Sequence, residues 1–62
     1  MKETEMIHEN MILRDKEGYI VDKVWIVGDD TKADAQSLRH GTIINFSSIG
    51  EAINYYSERG YQ

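Results

Sequence analysis

The sequence predicts an α+β domain: a small antiparallel β-sheet, made of a hairpin and a third strand, with a C-terminal helix packed on one face. Three stretches carry that expectation. Tyr19–Val27 is rich in β-branched and aromatic residues, which fit a pleated, half-buried surface. Asp15-Lys16-Glu17-Gly18 ahead of it is a polar turn whose glycine suits the positive φ that a tight connection needs. Ser48 to Gly60 carries the marks of a helix at both ends.

In chain order, Met1 to Glu5 are polar and expected to fray. The next apolar patches are Met6-Ile7 and Met11-Ile12-Leu13, and Met11–Arg14 reads as the first strand, with an earlier start left open. With Tyr19–Val27 it makes a hairpin, Met11–Val27, turning at Asp15–Gly18. One face of the second strand would hold Tyr19, Val21, Lys23, Trp25 and Val27, and the other Ile20, Asp22, Val24 and Ile26. Both faces are apolar toward Val24–Val27, whereas a hairpin with one wet face alternates. Gly28-Asp29-Asp30 ends the strand.

Residues 31–40 support two readings. Asp30 or Thr31 could cap a short helix over Lys32–Arg39, with Ala35 and Leu38 as a thin apolar stripe and Gly41 beyond its end; the alternative is a polar loop. Thr42–Phe46 is then a third strand. In the terminal helix, Ser48 is placed to cap the first turn, and Glu51 stands three residues on, where a capping box needs a carboxylate. Ile49, Ala52, Ile53 and Tyr56 share one face at spacings of three and four. Gly60 is placed for the left-handed residue after the last turn, with Tyr61 folding back on Tyr56.

At 62 residues the chain is one domain. A chain this short buries only about 60% of its unfolded surface, so it needs help. There is no Cys, which removes disulfides and thiolate metal sites and suits a reducing compartment. No metal or other cofactor is expected, since His8 and His40 have no ligand spacing. Oligomerisation is the remaining remedy. The net charge of −4 comes from scattered acids, so nucleic-acid binding by a basic surface is not expected, although an acidic mimic of a nucleic acid fits the charge. No apolar run approaches the ~20 residues that span a bilayer, and Met1-Lys2-Glu3-Thr4-Glu5 is no signal peptide. The expected location is cytoplasmic.

Catalytic motifs are thin. His40 near Asp29, Asp30 and Asp34 could make an acid–base pair or weak metal site, but a helix end with His40 and Arg39 favouring the dipole is the preferred reading, since a lone His without a fixed partner carries little signal. Ser47-Ser48 lacks a glycine elbow, and Gly28 and Gly41 make no phosphate loop. No enzyme is expected. The aromatic set is more informative. Trp25, Val27, Tyr55, Tyr56 and Tyr61 are candidate interface residues, because Tyr and Trp bring large areas with a polar tip. Tyr55 sits about 100° off the helix stripe and either widens it or faces a partner.

Ala52-Ile53-Asn54-Tyr55-Tyr56 followed by Glu58-Arg59-Gly60-Tyr61-Gln62 resembles the helix of small bacterial and phage domains of the DUF4177 type. That resemblance implies a helix paired with a small antiparallel sheet, and no activity. The chain is also similar in kind to short, acidic, cysteine-free phage accessory proteins that bind and disable a host factor. The expected function is therefore a homodimeric protein-interaction module that inhibits or regulates a protein partner. A second expectation is a dimer binding a small ligand or nucleotide at its seam, with Trp25 or a Tyr stacking and Arg39 or Arg59 meeting an anion.

Overall fold

A computed structural model describes residues 6–62. The expected fraying of Met1–Glu5 lies outside the described residues. The elements are β1 (Ile7–Arg14), β2 (Ile20–Gly28), β3 (Ala33–Ser37), β4 (Ile43–Phe46) and α1 (Ile49–Ser57). The strands form one antiparallel sheet in the order β1-β2-β3-β4, and α1 packs on one face, so the α+β architecture is as the sequence predicts.

The hairpin turns where expected. Gly18 N–H donates to Asp15 O (3.0 Å), Asp15 N–H donates to Tyr19 O (2.9 Å), and Gly18 takes φ +92°. β1 begins at Ile7, earlier than the Met11 start read from composition, because His8, Glu9 and Asn10 pair with Val27, Ile26 and Trp25 despite their polarity. The ladder slips near the turn. Leu13 pairs with Asp22 but Arg14 with Ile20, so Val21 is an extra, bulged residue. Ile20, which strict alternation sets beside Val24 and Ile26, is half exposed as a result.

The middle segment is neither helix nor loop. Ala33-Asp34-Ala35-Gln36-Ser37 is a strand whose residues alternate buried and exposed. Alanine's helix propensity hid a period of two, and pairing on both sides, with β2 and β4, overrides it. The third strand of the sequence reading is thus the fourth strand of the sheet, starting at Ile43. Asp30 and Thr31 cap no helix; they form the β2–β3 turn, closed by Asp29 N–H to Lys32 O (2.8 Å). The Asp29 carboxylate accepts from Thr31 N–H and Oγ1 and from Lys32 N–H. His40-Gly41 does not end a helix either. Gly41 N–H donates to Ser37 O (2.7 Å) with φ +74°, which makes a single helix-like turn between two strands. A left-handed glycine after such a turn is shared by both structures, which is why the local signature misleads.

Helix α1 is capped by Ser48, whose hydroxyl accepts from Glu51 N–H (3.1 Å). The reciprocal half of the box lands one residue early, as Glu51 Oε1 accepts from Ser47 N–H and Ser47 Oγ rather than from Ser48 N–H. At the other end Gly60 has φ +91°. Tyr61 N–H donates to Tyr56 O (3.1 Å) and Gly60 N–H to Ser57 O (3.1 Å), the two bonds of a Schellman ending. The core comprises Met11, Val24, Ile26, Ala33, Ala35, Ile49, Ala52 and Tyr56. Alanines on both the sheet and the helix keep the two layers close. None of the helices described is long and apolar enough to cross a membrane.

Candidate interaction faces

With α1 on one side, no element among the described residues covers the other side of the sheet. The register aligns its side chains in rows: Asn10, Trp25, Gln36 and Ile43 in one, and His8, Val27, Asp34 and Asn45 in the next. Ile12 and Lys23 make a shorter third row, with Leu38 just beyond β3. Trp25 is 40% exposed, Leu38 56% and Ile43 59%, three large apolar side chains on the open face with Gln36 between Trp25 and Ile43. His8 stacks on Trp25 with ring centroids 5.6 Å apart. The apolar ending of β2 on both faces thus has one cover, α1, over Val24 and Ile26, while the middle segment widens the sheet instead of closing its second side.

The five aromatic and apolar candidates divide between the two sides. Trp25 and Val27 lie together on the open face. Tyr55, Tyr56 and Tyr61 lie on the helix side, packed with the core. Tyr56 meets Tyr55 and Tyr61 edge-on at 5.0 and 5.1 Å, and Tyr55 also packs on Phe46 at 5.2 Å. The Arg59 guanidinium stands 3.6 Å over the Tyr55 ring and donates to Tyr55 O. Tyr55 therefore widens the helix stripe. Arg39 donates to Val21 O beside the β3–β4 turn, so neither Arg39 nor Arg59 converges on Trp25 within one chain. His40 lies in that same turn, at the opposite end of β3 from Asp29 and Asp30, and no acid–base pair is assembled. No group of three or more metal-ligating side chains gathers among the described residues.

Sequence reasoning passed over Asp22. It is 5% exposed and holds three distant segments together. Its carboxylate accepts from Ser37 Oγ (2.9 Å), Arg39 N–H (3.1 Å), Tyr61 Oη (2.8 Å) and Lys23 N–H (2.8 Å). Burial pushes its pKa up, but the bonds from Tyr61, Ser37 and the two amides outweigh it and hold the carboxyl below the usual range. Burial, and then the bond to Asp22, push the Tyr61 phenol up to about 12. A signal was present: Asp22 is the one polar residue on the Ile20–Val24–Ile26 face, where a carboxylate must be either solvated or paired.

The free edge of β1 is a second feature. Gln62 pairs with Ile12 from outside the sheet, Ile12 N–H donating to Gln62 O (2.7 Å) and Gln62 N–H to Ile12 O (2.9 Å). That two-bond exchange is an antiparallel rung. No family model, curated protein or solved structure matches this chain.

Proposed function

We propose that this chain is a protein-interaction module that works as a homodimer and inhibits or regulates a protein partner by occupying its surface. The open face with exposed Trp25, Leu38 and Ile43 carries the reading, because leaving such side chains in water forfeits roughly 1.5–3 kcal/mol each in a chain with little stability to spare. Charge favours a second copy as the cover. The chain is at −4, yet the three aligned rows of this face carry one Lys (Lys23) and one Asp (Asp34), so their formal charges cancel on an acidic molecule. A two-fold axis along the Asn10–Trp25–Gln36–Ile43 row lays Trp25 on Trp25. It also brings each Lys23 over the row containing the other copy's Asp34, as in an aligned sandwich of two sheets.

Light scattering on the eluted protein tests this. The expected mass is twice that of the chain at micromolar concentration, and Trp25→Lys and Ile43→Lys should each give a folded monomer. A wild type that runs as a folded monomer refutes the dimer.

A further inference from the structure

The chain itself already adds one residue to the outer edge of β1, and the strand continues beyond that rung. Ile12 directs its N–H and C=O outward to Gln62, and strand alternation directs those of Asn10 and His8 the same way. Among the described residues no backbone group meets them. The register is unbroken from Ile7 to Leu13, so both rungs stand in line with the one Gln62 fills.

We propose that this edge is a strand-addition site for an extended segment of a partner protein. The segment runs antiparallel to β1 and carries a Lys or Arg between two apolar residues. The proposal rests on the reading of the chain as an interaction module. The Gln62 rung fixes direction and register: the residues opposite Asn10 and His8 each exchange two bonds with β1. Their side chains point to the open face, beside the His8–Trp25 stack, where apolar groups gain contact. The residue between them stands opposite Glu9. Glu9 is exposed and is the one formally charged side chain from Ile7 to Ile12, so a cation belongs there. β4 is the other edge, but it has four residues against eight in β1 and no residue already laid along it among those described.

The probe is a blocked pentapeptide, Thr-Val-Lys-Val-Thr, titrated into the full chain while backbone amide resonances are followed. The His8 and Asn10 amides should shift on binding while those of Ile43–Phe46 stay. Replacing the central Lys by Glu should weaken binding about tenfold, and Glu9→Lys should reverse that preference. N-methylation of both Val amides should abolish it. Binding should persist in the monomeric Ile43→Lys variant, so loss of the dimer and loss of the edge site are read separately. Shifts confined to β4, equal binding of the N-methylated peptide, or no peptide-dependent shift overturns the proposal. So do His8 and Asn10 shifts that grow with protein concentration alone, which would assign the edge to a second copy.

Discussion

A carboxylate on the apolar side of a strand must collect donors or give up its charge, and Asp22 collects them from β2, the end of β3, the β3–β4 turn and the C-terminal tail. Removing it strands the Tyr61 and Ser37 hydroxyls, so Asp22→Ala should cost about 3 kcal/mol in urea unfolding. The same network sets the pH response. The folded Asp22 value lies below the ordinary ~3.9, so this contribution is complete above that value and is lost as pH falls through the folded one. Tyr61, pushed up to about 12 from an ordinary ~10, behaves oppositely; its contribution is complete below ~10 and is lost as pH rises toward the folded value. Tyr61→Phe should therefore reduce the alkaline slope of stability. An unchanged alkaline slope in that variant would remove Tyr61 from the network.

Elements were legible where their chemistry is local. The Gly18 turn, the Ser48 cap and the Gly60 ending each follow from a few adjacent residues, and each forms as read. Gly60→Val should cost about 1 kcal/mol or more, because φ +91° resists a β-branched residue. An unchanged melting temperature would contradict this. β3 was not legible. Ala33-Asp34-Ala35-Gln36-Ser37 has weak strand propensity, and only its two neighbours in the sheet make it a strand. The polar start of β1 was hidden for the same reason, since His8–Asn10 are ordered by pairing with the far end of β2. Tertiary pairing decided both, and it cannot be read from a window of the chain.

At the scale of the molecule, the sequence revealed that one helix could not cover every apolar side chain, but not which ones it would leave. Strand alternation sends Trp25 to the open face, while the helix and tail carry Tyr55, Tyr56 and Tyr61 to the core side. Tyr55→Ala should consequently lower the melting temperature through lost packing on Phe46 and Arg59, by about 2 kcal/mol or more in stability, without changing the mass measured by light scattering. A shift of Tyr55→Ala to monomer with unchanged stability would place Tyr55 in the seam instead.

Every strand of this sheet pairs with its neighbour in sequence, so each successive hairpin closes only a short loop and costs little chain entropy. The tail is the exception. The Gln62–Ile12 rung and the Tyr61–Asp22 bond join positions 50 and 39 apart, so each closes a far longer loop than any hairpin of the sheet. The molecule is therefore wired as a nearest-neighbour meander, a pattern that favours quick pairing, with one long-range fastening laid across its first strand.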